Sequence, residues 1–516
     1  MSALLESYAA GTWFRADDEG DPLLDAATGE EVARISARGL DLAAMAEHAR
    51  TAGGPAIRAL SFHERAAILK QLAGFLNENK DDLYALSART GATRRDSMVD
   101  IDGGFGTVFV YASKGAKELP EGDVLVDGNT ERIGKNGVFE GRHLYTSRPG
   151  VAVQINAFNF PTWGMLEKFA PAFLAGLPSI VKPASQTAYL TEAVVRKIVG
   201  SGILPEGSLQ LLCGSAGALL DVLDEQDSVA FTGSAHTAGV LRANPAVQHR
   251  GVRLQVEADS LNCSILGPDV EAGSAEFDLF VKGVVTEMTV KAGQKCTAIR
   301  RCLVPTATAD AVTEAIAAKL AKVTVGNPAN DEVRMGALAS LGQREEVRKA
   351  IEALRSSAEI VFGSPDAVDV VDADAERGAF LSPVLLRARP GAVEPHDVEP
   401  FGPVSTVLTY DSVDDAIALA ARGRGSLAGS LVTADPAIAR QVVRGVAPWH
   451  GRVLVLDAVA APDSTGHGTP LPTLVHGGPG RAGGGEELGG IRGVLHHMQR
   501  TAIQGSPAML DAITGA

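Results

Sequence analysis

The chain is poor in cysteine, in aromatic residues and in positive charge, and it has no long apolar run. Its four cysteines in 516 residues, Cys213, Cys263, Cys296 and Cys302, have neither the density of a disulfide framework nor the spacing of a metal site. That excludes a disulfide-stapled scaffold, gives no metal ligand set, and points to a reducing compartment. No stretch approaches the ~20 consecutive apolar residues of a membrane helix. The opening MSALLESYAAGTWF carries Glu6 and no basic n-region, so the sequence predicts a cytoplasmic protein with no membrane partner. Lysine and arginine number 47 against 62 aspartates and glutamates, a net charge of -15. Nucleic acid is excluded as a partner, because phosphate backbones need a basic field. A polyanionic substrate would have to find a local basic patch.

What is present is the composition of a globular protein, 45% hydrophobic and 21% charged, in a chain long enough for two or three domains. Residues 8–35 alternate short apolar pieces with turn residues and read as edge strands or hairpins. From Asp41 to about Lys117 the pattern turns helical. Ser61 and Glu64 make a capping box there, ahead of a stripe formed by Ile68, Leu69, Leu72, Phe75 and Leu76. Asn136-Gly137, between short alternating segments, predicts a hairpin within 120–150. From Gly150 to about Asp259 short apolar strands (VAVQIN, SIVKP, LQLLC, SVAFTG, VRLQVEA) alternate with helical stretches, which predicts a mostly parallel sheet with its ligands beyond the carboxyl ends of the strands. No G-x-G-x-x-G follows any of them, so the ordinary dinucleotide fingerprint is absent. A second α/β unit runs from about Leu261 to Pro472, with a helix from Ala309 to Lys322, a strand-like FLSPVLL at 380–386 and an amphipathic segment from Val413 to Ala421. Residues 461–490 are glycine-rich and predict a long loop over the surface or the active cleft. The closing LHHMQRTAIQGSP predicts an added edge strand.

The stretch KAGQKCTAIRRC, Lys291 to Cys302, carries the chemistry. Cys296 stands among Lys291, Lys295, Arg300 and Arg301, and positive charge favours the nucleophilic thiolate. Ala292 and Gly293 are small enough to let a substrate approach closely.

Six motifs occur in order: FNFP at 158–161, KPAS at 182–185, FTGS at 231–234, VEADSLN at 256–262, GQKC at 293–296 and EPFGPV at 399–404. Together they resemble the aldehyde dehydrogenase superfamily over nearly the whole chain. VEADSLNCSILG, the 464–490 stretch and QRTAIQGSP are similar to the branch acting on CoA-linked semialdehydes of aromatic-acid catabolism. Some members of that branch continue into a hydratase-like domain; none of that activity is expected of this sequence. The resemblance implies an α/β aldehyde dehydrogenase fold: a parallel Rossmann-like cofactor domain (1–131 and 152–258), an α/β catalytic domain (259–479), and an oligomerisation arm with a C-terminal strand (132–151 and 495–516). It implies a homo-oligomer, a dimer or a multiple of dimers.

By the same resemblance, Cys296 attacks the aldehyde carbon. Asn159 and the Cys296 backbone N–H form an oxyanion hole, and Glu257 activates the water that hydrolyses the thioester. Glu399, followed by Phe401, holds the nicotinamide ribose. Phe231, Gly233 and Ser234 lie along the pyrophosphate. Many members carry a glutamate at position 185, where it repels a 2′-phosphate; Ser185, with Lys182 nearby, implies NADP as cofactor, with NAD possible. Asp259 is expected to raise the pKa of Glu257 by like-charge repulsion. Ala157-Phe158 replaces the usual Pro-Trp beside the nicotinamide. Glu487 matches a proton-relaying glutamate, and His467 within Thr465 to Leu474 is placed at the substrate mouth. Arg132, Lys135, Arg142, Arg148, Arg300 and Arg301 supply candidates for the CoA phosphates. Two other readings remain open: a CoA-acylating enzyme, which generally lacks the glutamate at 257, and a catalytically silent nucleotide-binding scaffold.

Overall fold

The apolar stretches after Gly150 become five parallel strands, Ala152–Ile155, Ser179–Lys182, Leu209–Leu211, Ser228–Thr232 and Arg253–Glu257, in a computed structural model that describes residues 3–515. Across the sheet the order is 253–257, 228–232, 152–155, 179–182, 209–211, and the antiparallel pair Ser7–Ala9 and Thr12–Phe14 finishes the far edge. Residues 152–155, 179–181 and 209–211 are buried throughout, as expected where helices cover both faces. The strand that comes first in the chain, 152–155, has its successors on one side and the later pair on the other. The order therefore reverses at its carboxyl end, which is where open parallel sheets place their ligands. Asn156 to Phe160 follow directly.

The helical layer before the sheet forms as its pattern demands. Phe62–Glu78 starts on the Ser61/Glu64 capping box, and Arg94–Glu118 on a second box made by Thr93 and Asp96. Leu69, Leu72 and Leu76 pack with Phe105, Val108 and Tyr111 and with Phe169 and Phe173 of the Pro161–Leu174 helix, while Ile68 and Phe75 lie at the margin of that core.

A second seven-stranded sheet has the order 358–362, 384–388, 404–410, 301–305, 263–266, 426–432, 450–456, parallel except for its first strand. The amphipathic segment is the helix Val413–Ala421 and the earlier helix is Ala309–Leu320. The FLSPVLL strand is shorter than its sequence, Val384–Ala388, because Pro383 brings no N–H to a ladder.

Leu125–Arg132, Glu140–Ser147 and Met498–Gly505 make a separate antiparallel sheet, with 140–147 in the centre. The hairpin around Asn136-Gly137 and the C-terminal edge strand are thus one arm. It begins at Leu125, within the 1–131 stretch assigned above to the cofactor unit, since 125–132 pairs only with 140–147. Ile133 and Val138 are exposed at its tip. No helix among the described residues is long and apolar enough to cross a membrane.

Candidate active site

Cys296 follows a backbone turn that few sequences could adopt. Lys291, Ala292 and Gly293 all have positive φ, 55°, 49° and 66°, a conformation that costs non-glycine residues of the order of 1 kcal/mol or more each. The surroundings hold it in place. The Lys291 N–H donates to Asp96 at 2.8 Å and its ammonium to Thr90 at 2.9 Å. The buried Arg300 donates to the carbonyls of Gly402 (2.7 Å), Gly293 (2.9 Å) and Lys295 (3.2 Å). Asn262 donates to the carbonyls of Cys296 (2.8 Å) and Ala298 (3.0 Å). Gly293 faces the 402–403 backbone, not open space: a Cβ there would lie 2.2 Å from the Gly402 oxygen. The small residues serve this packing rather than a substrate's approach.

The sulfur faces a cleft of about 840 Å³. All eleven residues singled out above line it: Cys296, Glu257, Asn159, Phe158, Lys182, Ser185, Phe231, Gly233, Ser234, Glu399 and Phe401. They come from the carboxyl ends of four strands and from two loops of the second unit. Asn159 is buried, with its amide nitrogen 3.0 Å from the Gln294 carbonyl, which leaves its second N–H free. Phe158 and Phe401 meet edge to face, 5.8 Å between centroids. The Glu399 carboxylate accepts from the Ser260 N–H at 3.0 Å. Burial lifts its pKa to about 7, against the opposing charge of Arg300.

His476, which sequence reasoning passed over, stands between the nucleophile and the carboxylate. Its Nε2 is 3.1 Å from Glu257 Oε2 and 3.8 Å from Cys296 Sγ, and its ring packs on Trp163 at 5.8 Å. Burial would push the Glu257 carboxyl up, but the charge and hydrogen bond of His476, with Lys168 behind it, hold it well below the usual carboxylate range. Burial alone would lower the His476 pKa; Glu257 outweighs that and raises it. The glycine-rich tail delivers this residue. Val475–Gly477 and Glu486–Leu488 form a hairpin in which His476 faces Glu487. Its glycine turn lies against the edge strand, with Gly485 N–H donating to Val256 at 3.2 Å and Ala258 N–H to Ala482 at 3.0 Å. A Cβ at Gly483 would lie 2.2 Å from the Val256 oxygen. Glycine is therefore what lets the hairpin approach the strand that ends in Glu257.

Behind Glu257 lies a buried charge cluster. Lys168 sits 2.7 Å from Glu167 and 3.0 Å from Glu487, and the carboxylates of Glu167, Glu257 and Glu487 lie within 4.8 Å of one another. Burial raises Glu167 to about 8. The same three residues, Glu167, Lys168 and Glu487, line a second cavity of about 320 Å³ on the other side, with Arg253, His496 and Arg500.

Four expectations are corrected. The cations around Cys296 do not leave it ionised: Lys295, paired with Glu287 at 2.8 Å, pulls the thiol pKa down but is outweighed, and Arg301 donates to the Leu261 carbonyl. Burial, reinforced by Glu257, raises the thiol pKa well above its ordinary value. Asp259 does not repel Glu257; it accepts from the Ala235 N–H at 2.9 Å and lies 3.8 Å from Arg481. His467 is buried under the loop, 2.8 Å from Ser430, and not at a mouth. Arg148, Arg300 and Arg301 are buried and bound to backbone carbonyls, and Arg142 pairs with Asp511 at 2.7 Å, so these four form no phosphate site, whereas Arg132 and Lys135 are exposed on the arm.

Comparison with known proteins matches residues 13–497 to the aldehyde dehydrogenase family model. The 3,4-dehydroadipyl-CoA semialdehyde dehydrogenase of Aromatoleum evansii is 47% identical over 92% of this chain and 93% of its own. Among solved structures, Escherichia coli lactaldehyde dehydrogenase superposes with a TM-score of 0.84 at 21% identity, covering 98% of this chain and 99% of that one. PnpE in complex with nicotinamide adenine dinucleotide superposes with a TM-score of 0.82 at 23% identity, covering 98% of both chains.

Proposed function

The chain belongs to the aldehyde dehydrogenase family, and from that premise we propose that it oxidises a CoA-linked semialdehyde to the carboxylic acid, by hydrolysis of an enzyme thioester, with NADP as oxidant. The observation that carries this reading is the meeting of Cys296, Glu257 and Asn159 in one cleft. The name of the Aromatoleum relative supports the substrate class.

The cleft fits a nicotinamide dinucleotide: Phe158 and Phe401 make an aromatic wall near the sulfur, Glu399 offers a buried carboxylate, and Lys182 and Ser185 stand at the far end. The bound cofactor supplies the hydride acceptor. Everything else falls to the chain. The Cys296 thiol is protonated at rest, so attack on the aldehyde carbon needs a base, and the ionised Glu257 carboxylate is the acceptor beside it. The aldehyde oxygen becomes an oxyanion as the carbon turns tetrahedral, and the free Asn159 N–H and the Cys296 backbone N–H stabilise it. After oxidation Glu257 takes a proton from water, which attacks the thioester. Glu167, Lys168 and Glu487 lead both protons that Glu257 takes up, first from the thiol and then from water, to the second cavity, so that the carboxylate is ionised again before each step. Asn159→Ala is expected to lower kcat about 10²–10³-fold, the usual effect of losing one oxyanion donor, while alkylation of Cys296 by iodoacetamide proceeds at the wild-type rate.

Cofactor choice rests on position 185. Ser185 carries no charge against a 2′-phosphate, and the Lys182 ammonium is its neighbour in the cleft. The test is steady-state oxidation of a CoA-linked semialdehyde with each cofactor and no free CoA. The expected result is higher kcat/KM with NADP, reversed in favour of NAD by Ser185→Glu through about a 10-fold or greater loss with NADP alone. Equal efficiency in the wild type sinks the cofactor assignment. Turnover that requires free CoA sinks hydrolysis and leaves the acylating reaction.

A further inference from the structure

We propose that Cys296, His476 and Glu257 together form a three-ligand site for one zinc-class divalent cation, and that its occupation closes the enzyme reversibly. The sulfur, imidazole nitrogen and carboxylate oxygen all lie within 4.8 Å of one another. Sγ to Nε2 is 3.8 Å and Nε2 to Oε2 is 3.1 Å. Tetrahedral zinc with ordinary bond lengths separates sulfur from nitrogen by about 3.6 Å and nitrogen from oxygen by about 3.3 Å. Those two separations need to change only by tenths of an ångström, and the sulfur and the carboxylate oxygen lie within 4.8 Å.

A second observation points the same way. Glu257 is buried, yet its Oε1 has no hydrogen-bond partner, so the carboxylate has unused acceptor capacity at this point. The three ligands stand on separate, well-held supports: the end of the Arg253–Glu257 strand, the loop clamped by Arg300 and Asn262, and the Val475–Gly477 strand. Cys296 and Glu257 face the large cleft, which provides both a route in and an open fourth position for water. A soft thiolate with an imidazole and one carboxylate selects zinc or cobalt over magnesium or calcium. Thiolate and carboxylate also balance the two positive charges. The other cluster, Glu167, Glu257 and Glu487, already holds the Lys168 ammonium between two of its members and is no competitor. On binding, three metal–ligand bonds form. The thiol proton leaves to solvent, as does the second ring proton wherever His476 carries two; the remaining ring proton sits on Nδ1, and no electron is transferred. The metal site stands on geometry alone; only the closure rests on the catalytic roles given above to Cys296 and Glu257.

The test uses the full chain, free of cofactor and of thiol reductants, with cobalt(II) and then zinc as probes. The expected result is one cobalt per chain with a near-ultraviolet thiolate-to-cobalt charge-transfer band. That band is absent in Cys296→Ser and displaced by zinc. In His476→Gln, zinc affinity measured by equilibrium dialysis falls at least 10-fold, roughly the smallest effect expected of losing even an outer-shell partner. In the wild type zinc abolishes aldehyde oxidation and a chelator restores it. Zinc binding unchanged in His476→Gln, or cobalt bound without the sulfur band, overturns the site. Full turnover by zinc-loaded enzyme overturns the closure. The spectrum needs no turnover, so an enzyme that failed to oxidise semialdehydes would leave the metal question decided on its own.

Discussion

Cys296→Ala is expected to remove aldehyde oxidation with NADP and with NAD alike, by of the order of 10⁵-fold or more, as loss of a covalent nucleophile does elsewhere. The fold should survive. The loop is fixed by Arg300, Asn262, Gln294 and Asp96 through main-chain atoms, and the sulfur takes part in none of those bonds. The variant should therefore bind cofactor with wild-type affinity and unfold at the wild-type temperature to within a few degrees. Single-turnover hydride transfer is the decisive readout, since it occurs only after the carbon–sulfur bond forms. A full-amplitude burst in the alanine variant would remove the covalent mechanism altogether. Cys213, Cys263 and Cys302 are buried away from the cleft, so none can stand in for the lost thiol.

The fold was legible in its central parts because buried parallel strands write themselves as short apolar runs between helical stretches. Ala152–Ile155, Ser228–Thr232 and Arg253–Glu257 all fall where the apolar pattern places them. The C-terminal strand was legible too, but its partner was not: nothing local ties residues 498–505 to 140–147, more than 350 positions earlier. At the site, ordered motifs pointed to eleven residues that line one cleft, whereas the reason Cys296 reacts was misjudged. Charges adjacent in sequence, Lys295 and Arg301, are turned away into pairs and carbonyls of their own. The charges that outweigh Lys295 at the sulfur, Glu257 and Glu167, come from distant segments, as do His476 and Lys168, which keep Glu257 ionised. His476 lies in a glycine-rich stretch whose composition predicts a loop, and only the structure shows it on a short strand facing Glu487. Position in sequence identifies which groups are present; only packing decides which of them face one another.

Glu257→Gln separates the two halves of the reaction. The amide keeps the carboxylate's shape, and its oxygen can still accept from His476 Nε2, 3.1 Å away in the wild type, but it takes no proton at neutral pH. Two steps lose their base. Thiol deprotonation has water as a substitute, so the hydride burst should keep its amplitude of one equivalent per active site and become slower. Hydrolysis has none, because the attacking water must lose its proton as it bonds to the thioester carbon. Steady-state turnover should fall about 10²–10⁴-fold, the range for a missing general base, and a trapped thioester on Cys296 should be visible as added mass on the intact protein. Hydroxylamine, nucleophilic without a base, should discharge that thioester and restore turnover. A variant with the wild-type steady-state rate would show that another group activates the water. Glu487 would be the next to test, since its carboxylate lies within 4.8 Å of Glu257 on the far side of Lys168. Loss of the burst itself, with cofactor still bound, would instead make Glu257 indispensable to attack by the sulfur and place the slow step before oxidation.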